Sequence, residues 1–198
     1  MEEKTSVVEQ ALTYLQNKYD QNFTIIASID GSLDVPYDEM FFQSESYPGE
    51  IITVYRKKDH NEFYFFDDFY KVIVNDEYDR LLQSVVSGIL NENKIYFNFV
   101  ASYFPTELDA SYNLEEARNS FDLSFAANIY VFVPNGRFDI SEDMCKEIES
   151  ALRSCEIHGY FALYEIEDVD YSSLSKNSYE SYLSGHYQSN PVFKVTLQ

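Results

Sequence analysis

The stretch ANIYVFVPNGRFDISEDMCKEIESALRSCEIHGYFALYEI, residues 127–166, changes rhythm twice, and those changes decide the fold class. Residues 127–133 are apolar and rich in β-branched and aromatic side chains, as a strand requires, and Pro134-Asn135-Gly136 ends the run. Asp139 with Glu142 has the spacing of a helix N-terminus, and Ile140, Met144, Ile148, Ala151, Leu152 and Cys155 then recur at helical intervals on an inward face. Gly159 stops that helix, and residues 160–166 return to strand composition.

Working outward, residues 95–103 read as an aromatic strand, and Asn113 with Glu116 caps a short helix. A further short helix over 179–184 ends at Gly185, and residues 192–197 form a last strand. Strand, helix, strand, helix, strand predicts a ferredoxin-like βα layer sandwich for residues 93–198.

The preceding part reads differently. Ser6 and Glu9 form a capping box for a helix whose Val8, Ala11 or Leu12, Leu15 and Tyr19 share one face. Strand candidates follow at 23–29, 40–45, 50–56 and 62–66, separated by Asp30-Gly31, Pro48-Gly49 and Asp59-His60-Asn61. Tight turns between short strands predict an antiparallel meander. Asn75 caps a second helix striped by Tyr78, Leu81, Leu82, Val85 and Ile89. The chain is therefore expected to be α+β, with a helix-sheet-helix lobe over 1–92 and a ferredoxin-like lobe over 93–198. The boundary is placed in the polar run 91–94, and one composite domain with a shared sheet is the alternative.

Composition narrows the function classes. Among 198 residues, 34 acids against 14 bases give a net charge of −20, a field that repels phosphate backbones and anionic membranes. Nucleic acid is therefore not an expected partner. The longest uncharged run, 123–136, has 14 residues, against about 20 for a membrane-spanning helix. Cys145 and Cys155 sit on one helix about 15 Å apart along its axis, beyond disulfide reach, and are expected as buried thiols. The start MEEKTSVVEQALTYLQ has no apolar signal core, which predicts a cytoplasmic protein, or an extracytoplasmic one if a leader was removed.

No catalytic signature is present. The six glycines form neither GxGxxG nor GxxxxGK[ST], and no GxSxG occurs. His60, His158 and His186 lie far apart, with His158 expected at a helix C-terminus. Asp168, Asp170 and Ser172 imitate the first ligands of a calcium loop, but Ser173 and Tyr179 stand where Gly and Glu are needed. No catalytic residue, metal site or cofactor is assigned. With 34 acids, some carboxylate pair will always have hydrolytic spacing, so a hydrolase with such a pair in an interlobe cleft is the alternative reading.

The oddity is 18 tyrosines and 16 phenylalanines without a tryptophan. Many fall in strands, where they pack a core. Six tyrosines crowd into 160–187, where periodicity is poor. Asp168, Asp170, Tyr171, Tyr179, Glu180, Tyr182 and Tyr187 are therefore the candidate binding residues: carboxylates for charge, phenols for contact area. The expected function is a non-enzymatic acidic protein that recognises a basic protein partner. The competing expectation is that these tyrosines simply cover the sheet, hydroxyls at the rim.

The segments ALTYLQNKYDQNFTII (11–26), VYRKKD (54–59), NDEYDRLLQSVV (75–86) and SYESYLSG (178–185) resemble uncharacterised acidic, Tyr-rich α+β proteins of gut-type Gram-positive bacteria. Members often follow an export signal or lipidation site. The shared features are caps and turns, so the resemblance implies a fold and no activity.

Overall fold

Each half of the chain builds a four-stranded sheet of its own. A computed structural model describes residues 6–32, 37–60, 62–100, 104–121, 125–185 and 190–197. Two compact units result, Met1–Asn75 with Ser102–Asp122, and Asp76–Ala101 with Leu123–Gln198. This partition differs from a single cut near residues 91–94. The helix that starts at Asn75 goes with the second unit, and residues 102–122 return to the first.

In the first unit, helix α1 (Val7–Tyr19) starts with the full capping box: Glu9 N donates to Ser6 Oγ at 3.2 Å, and Ser6 N to Glu9 Oε2 at 2.7 Å. Two otherwise unpaired donors are thereby satisfied. Asp20 adopts a left-handed conformation (φ 51°) and turns the chain into β1 (Phe23–Ile29). Strands β2 (Tyr37–Ser44), β3 (Ile52–Asp59) and β4 (Glu62–Asp67) complete an antiparallel meander in chain order. Met40 lies opposite Val54 and Phe42 opposite Ile52. These four side chains cluster with Ala11, Leu15 and Tyr19 of α1. Burying each large one is worth about 1.5–3 kcal/mol, which fixes the helix to that face.

Two more helices belong to this unit: α2 (Phe69–Ile73) and, numbered later along the chain, α4 (Leu114–Phe121). The Asn113–Glu116 cap on α4 forms as the spacing predicts, at 2.8 and 3.0 Å. Helix α2 has no counterpart in the sequence reading. Its residues extend an aromatic run already counted as strand, and the buried rings of Phe69 and Tyr70 decide the local structure.

The second unit contains α3 (Asn75–Val86), β5 (Lys94–Phe99), β6 (Ala126–Pro134), α5 (Glu142–Ser154), β7 (His158–Ile166), α6 (Asp168–Ser173), α7 (Tyr179–Gly185) and β8 (Phe193–Leu197). The sheet order is β5-β6-β7-β8, with β6 and β7 parallel and both outer pairs antiparallel. The α+β class, the first-half meander and the second-half sheet with helices all match the expectation. The strand order refines the ferredoxin-like description: neighbours in the sheet are neighbours in the chain, without the interleaving of a split βαβ unit.

Period-two alternation separates the two faces of this sheet. Ala127, Ile129, Val131, Val133, Phe161 and Leu163 are buried on one. On the same face, Tyr78 of α3 packs against Phe97 and Phe99 of β5, ring centroids 5.0 and 4.9 Å away. Helix α5 buries Cys145, Ile148 and Leu152.

Three local expectations shift. Ser141, not Asp139, caps α5, its Oγ accepting from Met144 N at 3.3 Å, because a hydroxyl two residues later meets the free amides directly. Cys155 becomes the half-buried C-cap of α5, so only Cys145 is on the buried stripe. His158 opens strand β7 and Gly159 follows inside that strand, so neither terminates the helix.

Candidate functional site, a tyrosine-covered sheet face

The opposite face of the second sheet carries the functional candidates. Alternation puts Lys94, Tyr96 and Asn98 of β5, Asn128, Tyr130 and Phe132 of β6, and Tyr160, Ala162 and Tyr164 of β7 on it. Register then aligns them in rows: Tyr96 beside Tyr130 beside Ala162, Asn98 beside Asn128 beside Tyr160, and Lys94 beside Phe132 beside Tyr164. Helices α6 and α7 lie over part of this face. Phe132, Tyr164, Leu174 and Tyr179 are buried in one cluster, with Tyr96, Tyr130, Tyr160, Tyr171 and Tyr182 partly buried around it.

The predicted binding residues divide between two roles. Tyr179 is core: it is 3% exposed and stacks on Tyr96 with centroids 4.7 Å apart and planes 8° from parallel. Its hydroxyl accepts from Asn98 Nδ2 at 2.6 Å and donates to Glu180 Oε1 at 3.1 Å. Asn98 Nδ2 also donates to Glu180 Oε1 at 2.9 Å, so the carboxylate is held in place at the sheet rim. Tyr182 meets Phe132 edge-on at 6.0 Å and is half-buried. Tyr171 covers Lys94, whose ammonium lies 4.9 Å from the ring centroid and donates to the Tyr171 and Leu174 carbonyls at 2.5 and 2.7 Å.

Asp168 and Asp170 stand on α6, Asp168 exposed and Asp170 half-exposed. The calcium-loop imitation is thereby replaced by a helical turn, in which Ser172 and Ser173 hydroxyls donate to the Asp168 and Asp170 carbonyls. Tyr187 and His186 lie outside the described residues. The structure thus joins Tyr171, Tyr179, Glu180 and Tyr182 to one sheet face and leaves Asp168 and Asp170 on the covering helix.

Sequence reasoning passed over Tyr96, Asn98 and Tyr130 as site residues. Their alternation was legible, but only the register shows that they meet α7. Tyr130 lies 6.4 Å from Tyr160 and 5.9 Å from Tyr179, ring to ring. Among the described residues the hydroxyls of Tyr130, Tyr160 and Tyr164 form no hydrogen bond; all three oxygens stay open to water, that of Tyr164 even though the residue as a whole is only 8% exposed. Burial raises all three phenols above their ordinary range. Neighbouring phenols add to it for Tyr130 and Tyr164, and the Glu180 charge adds to it for Tyr130. At neutral pH they are uncharged groups that can both donate and accept.

The first unit has its own ionic centre. Asp67, fully buried at the end of β4, accepts from Tyr19 Oη at 2.6 Å, Tyr14 Oη at 2.7 Å, Lys18 Nζ at 2.8 Å and Phe69 N at 2.9 Å. Four donors on one carboxylate leave it no capacity for substrate chemistry; it joins α1 to the sheet. No three His, Cys, Asp or Glu side chains among the described residues form a group that could hold a metal ion. No described helix is long and apolar enough to cross a membrane.

No protein-family model matches this chain, and no curated protein matches it. In structure it is similar to a DUF5037 family protein from Ruminococcus gnavus ATCC 29149, at 15% sequence identity and a TM-score of 0.41, over 84% of this chain and 78% of that chain.

Proposed function

We propose that this is a binding protein for a basic protein partner, which it contacts through the tyrosine face of the second sheet and the acidic helices α6 and α7. The observation that carries the reading is the rim itself. Tyr130, Tyr160 and Tyr164 present hydroxyls that bond no partner among the described residues, with Glu180 near Tyr130, on a chain of net charge −20. The overall field accelerates encounter with a cationic surface, and phenols supply contact area at small entropic cost because each has only two side-chain torsions. Tyr179 is not a contact residue in this reading. It fastens α7 to β5 and so positions Glu180.

The test uses cytochrome c as a basic globular probe and its succinylated form as the charge-reversed control, both against the immobilised protein. Expected is saturable binding of the native probe at 50 mM NaCl and none of the control. The variant Asp168→Asn, Asp170→Asn, Glu180→Gln should bind about tenfold more weakly. A variant with equal charge change elsewhere, Glu107→Gln, Glu115→Gln, Glu147→Gln, should lose about threefold or less. Equal losses in the two variants would reduce the effect to net charge and remove the face from the reading.

A further inference from the structure

Resting on that reading, we infer that the open end of the tyrosine face seats an arginine side chain of the partner, between the Tyr130 and Tyr160 rings and the Glu180 carboxylate.

Two observations converge. First, the Tyr130 and Tyr160 rings meet edge to face, 62° between planes, which forms an aromatic corner against which a flat cation can lie. Second, Glu180 is pre-positioned: Asn98 and Tyr179 both bond its Oε1, and its Oε2 has no hydrogen-bond donor among the described residues.

The donor and acceptor inventory favours arginine over lysine. The waiting acceptors are one carboxylate oxygen and phenol oxygens spread over neighbouring rings. A guanidinium offers five N–H donors in a planar fork, whereas an ammonium is a compact point charge with a tighter hydration shell. The chain satisfies its own arginine in the same way elsewhere. Arg56 lies 4.3 Å above the Phe63 ring while its Nε donates to Asp38 Oδ2 at 2.7 Å. The other end of the tyrosine face is already filled by a cation, Lys94 under Tyr171. One base opposes the proposal. Lys194 of β8 aligns with Ala162 in the row of Tyr130, and it is exposed. Its charge is expected to weaken an incoming cation modestly.

Fluorescence anisotropy tests this with labelled peptides in which Gly alternates with six residues of Arg, of Lys, or of citrulline, the neutral isostere of Arg. The Arg peptide should bind at least about fivefold tighter than the Lys peptide, and the citrulline peptide should show no binding. Glu180→Gln should weaken the Arg peptide about tenfold. Tyr130→Ala, which removes one wall of the aromatic corner, should weaken it severalfold, and Lys194→Gln should strengthen it. Thermal melting of each variant verifies folding, and any one folded variant with unaltered Arg-peptide affinity overturns the seat. Equal affinity for Arg and Lys peptides also overturns it, while leaving the basic-partner reading intact if cytochrome c still binds. Absence of binding to cytochrome c and to every peptide overturns both.

Discussion

Lys18 Nζ lies 2.8 Å from Asp67 Oδ2, a carboxylate with no solvent exposure, on an ammonium side chain that is itself 6% exposed. A pair withdrawn from water to this degree is costly to break, because removing either partner strands the other as an uncompensated buried charge. Tyr14 and Tyr19 close the remaining sides, and together they join three positions of α1 to the end of β4.

Asp67→Ala is therefore expected to lower stability by about 3–5 kcal/mol, with Lys18→Met in the same range. The double variant should lose clearly less than the sum of the two. Urea denaturation of the three variants measures this; additive losses would show that the two groups act independently.

The same network gives an alkaline limb to stability. Burial first, then the Asp67 charge and hydrogen bond, raise Tyr14 and Tyr19 above the ordinary phenol range. Below about pH 10 both are protonated in the folded and unfolded chains alike. Above it the unfolded chain releases protons that the fold retains, so stability falls as pH rises, by up to about 1.4 kcal/mol per pH unit for each group. Tyr19→Phe should start less stable at pH 7 and decline less steeply between pH 10 and 11. Identical slopes for the two proteins would place the titration elsewhere.

Gly159 has φ 115°, and a Cβ there would lie 2.1 Å from the Ala127 carbonyl oxygen. Gly159→Ala combines backbone strain with a backbone clash that no side chain can relieve, and should cost at least about 3 kcal/mol. Gly136→Ala is the control. It shares the positive φ (70°) but meets open space, so only the strain remains. Comparable losses in the two would show that the β6–β7 approach is not the limiting contact.

The cysteines should separate in thiol labelling of the native protein. Cys145 is on the buried stripe of α5, and burial and then Glu142 raise its thiol above the ordinary range, which lowers its thiolate fraction. Cys155 is half-buried at the helix end. One fast and one slow equivalent are expected, with Cys155→Ser removing the fast phase. Two slow phases would put both thiols in the core.

Much of the local structure was legible because it depends on neighbours in sequence. The Ser6–Glu9 and Asn113–Glu116 caps, the meander turns and the helical stripe of α5 each need only three to eight consecutive residues. The class of the fold followed from them. The site was legible only in composition: the tyrosines and carboxylates of 168–187 were visible, while their division into core and rim was not. Tyr179 and Tyr182 look alike in the sequence. Only the docking of α7 on β5 and β6 makes the first a buried stack on Tyr96 and the second a partly exposed edge contact with Phe132.

By itself the sequence determined a strongly acidic α+β chain without nucleotide-binding or nucleophile motifs, since charge, turn chemistry and periodicity are local properties that add along the chain. The tertiary structure alone decided three things: the parallel β6–β7 pairing, the burial of Asp67 under α1, and the meeting of Asn98, Tyr130, Tyr160 and Glu180. Each joins residues 30 to 82 positions apart. Contacts of that range are selected by which surfaces must leave water together, and a single stretch of sequence holds only one side of each such surface.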